Sequence, residues 1–389
     1  MFRIRKLNSI SDAVYDYLEE GCYDIREDIE AYDAILVRSA KCHGMCFPED
    51  TVAIARAGAG VNNIPIDDCT KQGIVVFNTP GANANGVKEL VLAGMLVASR
   101  NILEAVAWAK TLSGKGEEVL PLVEKGKNQF VGPELSGKTL GVIGLGAIGV
   151  MVANAAHSLG MEVIGYDPYI SVESAWGLSR GVGHAYKLGE LLDKADYITI
   201  HIPLMDQTKG FLGEKEIGQM KEGVVILNLA RNGLIEYDPL YAALKSGRIS
   251  RYVTDFPNDT LLAMDNVICI PHLGASTPES EENCARMAAA QLRDYLETGD
   301  ILNSVNLPAA QLAFTGKYRI AVIHKNVSGM VGHMTALLAE SGANITDMMN
   351  KSRGDIAYTI INLDDAVSAD TVDAIRGSEG VVRVRTFER

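Results

Sequence analysis

A chain of 389 residues exceeds one small core and corresponds to two or three domains of roughly 100–200 residues each. Its 47% hydrophobic and 22% charged residues exclude a disordered or collagenous chain and describe a globular protein. Thirty-six Lys and Arg against 49 Asp and Glu leave a formal charge of −13, which argues against nucleic acid or an anionic membrane as partner but allows local sites for one small anion.

Short apolar runs alternate with helix-like stretches over about the first three hundred residues, the pattern of βα units that build a parallel sheet. The expected fold class is α/β. The expected strands are FRIRKL from Phe2, DAILVR ending at Arg38, GIVVFN ending at Asn78, TLGVIG from Thr139, EVIGYD ending at Asp167, DYITIHIP ending at Pro203, VVILNL from Val224 and NVICIP ending at Pro271. Several end in polar residues, where open α/β sheets place their ligands. The Gly-, Lys- and Glu-rich stretch 112–138 reads as a linker between two lobes. Residues 277–296 have helical periodicity, with Ser276 or Thr277 as the cap and acidic residues in the first turn. Residues 303–316 read as a second linker, and 318–389 divide into β, α, β, β, α, β, the ferredoxin-like order.

The six cysteines (Cys22, Cys42, Cys46, Cys69, Cys269, Cys284) are scattered, with no CxxC pair and no histidine at zinc-ligand spacing. They read as reduced thiols, and no metal is expected. The N-terminus MFRIRKLNSISD lacks an apolar signal core, and the longest apolar run, around Leu90 to Ser99, is too short for a bilayer. The cytoplasm is the expected location.

Three of the 38 glycines fall together where a strand meets a helix. Gly144-Leu145-Gly146-Ala147-Ile148-Gly149 follows the apolar run TLGVI and precedes the helix-like VMVANAAHSLG. In this context the first glycine permits a tight turn, the second lets backbone approach a pyrophosphate, and the third lets the helix pack on the strand. Eighteen residues after Gly149, the next strand ends at Asp167, a carboxylate suited to both hydroxyls of an adenosine ribose and repulsive to a 2′-phosphate. NAD is therefore expected over NADP.

Three polar residues stand at further strand ends: Arg231 after VVILNLA, Asp255 closing RYVTD, and His272 after NVICIP. They suit hydride transfer. Histidine can take a hydroxyl proton near neutrality, and a guanidinium can bind a carboxylate through two parallel hydrogen bonds. His201, in ITIHIP, reads equally as a wall of the cofactor crevice or as a structural residue.

The stretches NLARNGLIEYDPLYAALKSGRI and PHLGASTPESEEN, the GLGAIG turn, LVRSAK, ARAGAGVNNIPID and FNTPGANANGVKE occur in the order found in the D-2-hydroxyacid dehydrogenases, which the chain resembles over most of its length. The resemblance implies two Rossmann-like doubly wound lobes: a discontinuous substrate lobe, 1–98 with 277–305, and an inserted NAD lobe, 99–276. It identifies Arg231 as the substrate-binding arginine and His272 as the acid/base. Asp255 falls beside the nicotinamide, and Pro203, Thr208, Ala230 and Gly274 complete the cofactor-binding set. One departure stands out. The family places Asp-Val-Phe-x-x-Glu-Pro before the histidine, whereas this chain has Asp255-Phe256-Pro257-Asn258-Asp259, with no Glu between Glu236 and Glu279. Asp259 is the nearest substitute for the missing carboxylate.

A phosphorylated acid needs a second cation. Arg38 and Ser39 match the family's Arg-Ser at a substrate-anion contact, the bare N–H groups of Gly58, Ala59 and Gly60 can approach a carboxylate, and Asn78 follows the next strand. Residues 318–389 resemble an ACT domain, in which His324, Asn326 and Asn344 match the residues that bind L-serine at a subunit interface. The implied activity is NAD-dependent oxidation of D-3-phosphoglycerate to 3-phosphohydroxypyruvate, the first step of L-serine biosynthesis, by a homodimer or homotetramer under L-serine feedback. The alternatives are a hydroxypyruvate or glyoxylate reductase of the same family, or a non-catalytic NAD-sensing regulator.

Overall fold

The computed structural model describes residues 1–389, which form two compact units: Met1–Asn83 with Glu281–Arg389, and Ala84–Ser280. The first unit opens with five strands, β1 (Phe2–Leu7), β2 (Tyr23–Arg26), β3 (Ala34–Val37), β4 (Ala53–Arg56) and β5 (Val75–Phe77), and one short helix, α1 (Ile66–Lys71). They make a parallel sheet in the order β2-β1-β3-β4-β5. Every residue of β3 is buried. Its side chains alternate, Ala34 and Leu36 joining one apolar cluster and Ile35 and Val37 another, so both faces of the sheet are covered.

The second unit begins with three helices, α2 (Ala84–Arg100), α3 (Ile102–Lys110) and α4 (Val119–Gly126). The stretch expected as a linker thus contains α4; its Pro121 sits in the first turn, where a missing N–H costs nothing. There follow β6 (Thr139–Ile143), α5 (Ala147–Ser158), β7 (Glu162–Tyr166), α6 (Val172–Gly177), β8 (Val182–His184), α7 (Leu188–Leu192), β9 (Tyr197–Ile200), α8 (Glu214–Gln219), β10 (Val224–Asn228), α9 (Tyr237–Ser246), β11 (Ile249–Thr254), α10 (Asp259–Leu262) and β12 (Val267–Cys269). The seven strands are parallel, in the order β12-β11-β10-β9-β6-β7-β8. From β6 the chain winds outward to β8 and returns to β9 on the other side of β6. That reversal opens a crevice at the carboxyl ends of β6 and β9, where doubly wound sheets bind ligands.

Helix α11 (Pro278–Thr298) leads back into the first unit. Ala285, Ala288, Ala289, Leu292, Tyr295 and Leu296 on it share the apolar cluster of Ala34 and Leu36. The chain ends in β13 (Tyr318–Lys325), α12 (Met330–Glu340), β14 (Ile345–Arg353), β15 (Ile356–Leu363), α13 (Ala369–Arg376) and β16 (Val381–Glu388), an antiparallel sheet ordered β14-β15-β13-β16. One face of this sheet packs on α12 and α13 through Ile320, Val322 and Ile361. The opposite face carries Ala321, Ile323, Tyr358, Ile360 and Phe387 into the cluster that holds α11.

The last turn of α11 is capped by this sheet. Arg385 donates to the carbonyls of Tyr295 (2.8 Å) and Leu296 (2.9 Å), and Tyr358 Oη donates to Gly299 O (2.6 Å). Arg319 is fully buried and donates to Thr298 O (2.8 Å), Asp300 Oδ1 (3.1 Å) and Asn362 Oδ1 (2.7 Å). Guanidinium groups at a helix C-terminus satisfy orphan carbonyls and complement the negative end of the helix. No single helix of the chain is long and apolar enough to cross a membrane.

Candidate active site

The crevice of the second unit is built on the glycine turn. Gly144 has φ +90°, and a Cβ there would lie 2.8 Å from the carbonyl oxygen of His201. At Gly149 a Cβ would lie 1.9 Å from Gly144 O, so only glycine lets α5 start this close to β6. Gly146 differs: nothing lies within 4 Å of a Cβ placed there, so protein packing does not require this glycine. The open space before the first turn of α5, which no side chain caps, is what a pyrophosphate needs. Ala147 and Ile148 form that turn. Asp167 ties β7 to it, Oδ2 accepting from Leu145 N (2.8 Å) and Oδ1 from Tyr169 N (2.9 Å).

Beyond β9, His201 pairs Nε2 with Thr199 Oγ1 (3.0 Å), while its Nδ1 is shut off from solvent without a partner. Burial lowers its pKa to about 4, which keeps the imidazole neutral. Thr208 folds the following loop, donating to Pro203 O (2.6 Å) and accepting from Met205 N (2.8 Å).

At the end of β10, buried Asn228 holds the next loop from both sides of its amide: Oδ1 accepts from Ala230 N (3.2 Å) and Nδ2 donates to Arg231 O (3.0 Å). Sequence reasoning passed over Asn228, although an amide closing the apolar run VVIL is itself a signal. The exposed Arg231 side chain turns back to donate to Ala230 O (2.6 Å).

Asp255 and His272 follow the neighbouring strands β11 and β12. His272 is exposed, and its ring meets the Phe256 ring edge-on at 5.1 Å. Asp255 is buried, with neither carboxylate oxygen hydrogen-bonded. Burial raises its carboxyl pKa, and the charges of His272 and Arg231 pull it back. Gly274 lies beside it, a Cβ there falling 4.0 Å from Asp255 Oδ2. Asp259 is the exposed first residue of α10, whose cap is Asn258 accepting from Leu261 N (2.9 Å), and no hydrogen bond joins its carboxylate to His272.

The substrate-anion residues expected in the first unit gather at the carboxyl ends of β3, β4 and β5. Arg38 extends from β3, and the Ser39 amide is held by Asn8 Oδ1 (3.1 Å). Arg56, which sequence reasoning did not single out, donates from Nε to Arg38 O (2.9 Å) and from a second nitrogen to Gly60 O. Asn78 Nδ2 donates to Ala59 O (2.6 Å), bracing the Gly58-Ala59-Gly60 loop from β5.

The C-terminal residues do not converge within one chain. His324 is buried in the sheet, with Nε2 against Thr359 Oγ1 (2.8 Å) and Nδ1 against Lys325 O (2.8 Å). Asn326 follows the end of β13 and donates to Gly354 O (3.1 Å), whereas Asn344 precedes β14 and donates to Asp364 Oδ2 (2.5 Å). β13 and β14 run in the same direction on either side of β15. The two amides therefore lie at opposite ends of the sheet, roughly 25–30 Å apart along the strands.

Residues 92–274 match the family described as D-isomer specific 2-hydroxyacid dehydrogenase, NAD binding domain. Over 356 residues the chain is 32% identical to D-3-phosphoglycerate dehydrogenase of Escherichia coli K12, covering 87% of this chain and 82% of the relative. The chain belongs to the D-isomer-specific 2-hydroxyacid dehydrogenase family. It is also 37% identical over 339 residues to D-3-phosphoglycerate dehydrogenase of Methanocaldococcus jannaschii, covering 84% of this chain and 61% of that relative. The chain thus spans about three fifths of the length of that archaeal protein. Among solved structures, NAD+-bound 3-phosphoglycerate dehydrogenase of Entamoeba histolytica superposes with a TM-score of 0.61 at 27% identity, over 78% of this chain and 98% of that one. The family's cofactor is NAD, and the glycine turn, the open space at Gly146 and Asp167 fit it.

Proposed function

We propose that the chain oxidises D-3-phosphoglycerate to 3-phosphohydroxypyruvate with NAD+, the first step of L-serine formation. The observation that carries this reading is the exposed His272 next to the buried, unpartnered carboxylate of Asp255, on adjacent strand ends and within the field of Arg231. NAD+, when bound, accepts the hydride that leaves C2. His272 takes the hydroxyl proton, and the Asp255 anion favours the imidazolium formed. Arg231 binds the substrate carboxylate and polarises the developing carbonyl. Arg38 and Ser39 receive the phosphate, and the Gly58-Ala59-Gly60 loop, braced by Asn78, approaches the substrate carboxylate with the N–H groups of Ala59 and Gly60.

Asp255 takes the role first considered for Asp259. Asp255→Asn is expected to lower kcat and alter its pH profile, with Asp259→Ala close to the parent in both; the reverse pattern would return the role to Asp259. Initial rates of NADH formation with D-3-phosphoglycerate, D-glycerate and glycolate test the substrate. A higher kcat/KM for the phosphorylated acid supports the reading. A preference for the unphosphorylated acids would instead make the chain a hydroxypyruvate or glyoxylate reductase, and no turnover with any of them would leave an NAD-sensing regulator. Asp167 favours NAD over NADP, which a higher kcat/KM with NADP+ would refute.

Residues 318–389 serve, in this reading, as an ACT-type module that binds L-serine. Because Asn326 and Asn344 stand at opposite ends of one sheet, the site takes one amide from each of two copies, and the long exposed edge strand β14 is available for their pairing. Titration of the full chain with L-serine tests it: no heat and unchanged kinetics reject feedback. A homodimer or homotetramer follows from the same arrangement.

A further inference from the structure

Arg38 is already occupied. Its Nη2 donates to Glu281 Oε1 at 2.5 Å, and Glu281 is its one hydrogen-bonded side-chain partner. Both side chains are 39% exposed, so the pair sits at the surface, open to an incoming solute. Next to it, Arg56 is spent on backbone: it holds Arg38 O at 2.9 Å and Gly60 O, and so fixes the main chain from which Arg38 projects. Arg38 is thus the guanidinium of the two that can turn to a ligand, and the group seated on it is a carboxylate of the chain itself.

We infer that Glu281 is a specificity-determining residue: an internal carboxylate that competes with the substrate's phosphate for Arg38. This rests on the assignment of Arg38 to the phosphate. An acid ending in a neutral hydroxyl leaves the Arg38–Glu281 pair intact. An acid ending in phosphate must displace Glu281 or share the guanidinium against its charge, and only a strong, multiply charged acceptor does so readily. Glu281 thereby weakens binding of phosphorylated acids and of free phosphate alike, and it screens Arg38 from weaker anions.

The test is steady-state kinetics of the full chain and of Glu281→Gln and Arg38→Ala, with D-3-phosphoglycerate and D-glycerate, and with inorganic phosphate as inhibitor. Because a half-exposed ion pair is weak, Glu281→Gln is expected to lower KM for D-3-phosphoglycerate about two- to fivefold and the phosphate inhibition constant similarly. The KM ratio of D-glycerate to D-3-phosphoglycerate should rise, and the gain should shrink as salt is raised. If Arg38→Ala raises KM for D-3-phosphoglycerate while Glu281→Gln leaves it unchanged, the competition is overturned and the role of Arg38 stands. If neither substitution moves it, Arg38 does not receive the phosphate and both fall. Matching far-ultraviolet circular dichroism of the variants excludes misfolding as the cause.

Discussion

A carboxylate buried without a hydrogen bond, as at Asp255, destabilises a fold in its charged form. Its folded pKa lies above the unfolded one, so the folded state favours the proton, and stability falls as pH rises through the raised value. Asp255→Asn should therefore raise the melting temperature by roughly 2–5 °C at pH ~8 and by less at pH ~5, opposite in sign to its effect on turnover. A lower melting temperature for the variant at both pH values would refute this. His201 has the opposite linkage. Its folded pKa, about 4, is below the ordinary 6.5, so the neutral ring's contribution is present above about pH 6.5 and disappears as pH falls toward 4. Denaturant melts should show the parent losing about 2 kcal/mol more between pH 7 and 5 than His201→Gln loses; equal losses would show that the ring accepts a proton freely.

At the scale of elements, Arg319 joins β13 to the segment after α11. It lies over the Phe314 ring at 4.4 Å while bonded to Asp300, Thr298 and Asn362. Arg319→Met would leave Asp300, whose pKa burial already raises, without its counter-ion. A loss of about 3–5 kcal/mol, or of the order of 10 °C in melting temperature, is expected; a shift under ~2 °C would mean that water replaces the guanidinium.

The elements differed in how far the sequence disclosed them. The glycine turn, the apolar strands β3, β6, β9 and β10, and the six-element order of the C-terminal sheet carry local signals, namely period, β-branching and turn residues. The edge strands β2 and β8 do not. At a sheet margin Tyr-Asp-Ile-Arg and Val-Gly-His need no apolar pattern, and in the interior strand β4, Ala-Ile-Ala-Arg, Ile54 is the single residue with a strong strand preference. The helix α4 was hidden by the glycines and proline around it. In the site, strand-end charges could be read because chemistry selects residue type. The lack of a hydrogen bond between Asp259 and His272, the occupation of Arg38 by Glu281 and the burial of His324 could not, since each depends on contacts that tertiary packing sets.

At the scale of the whole molecule, the second unit carries exposed apolar side chains on and beside two of its helices. No residue of α3 or α4 is buried, and Leu103, Val106, Leu120 and Val131 are 48–75% exposed. A second copy of the chain is the expected cover. Light scattering after gel filtration should give at least two chains for the parent and one for Leu103→Glu combined with Val106→Glu; a monomeric parent would refute the proposal.

The capping of α11 by Arg319, Tyr358 and Arg385 also bears on how a gene for this protein can be cut. Arg383 extends the attachment, donating to the carbonyls of Gln72 (2.9 Å) and Glu49 (3.2 Å) in the same unit. A stop codon after Gly316 would uncap the helix and bare Tyr295 and Leu296 in a single stroke. Such a deletion would register as a folding lesion of the first sheet, and lost activity in it would say nothing about regulation. Single changes at Asn326 or Asn344, at the sheet's two ends and away from the α11 cap, separate control from architecture.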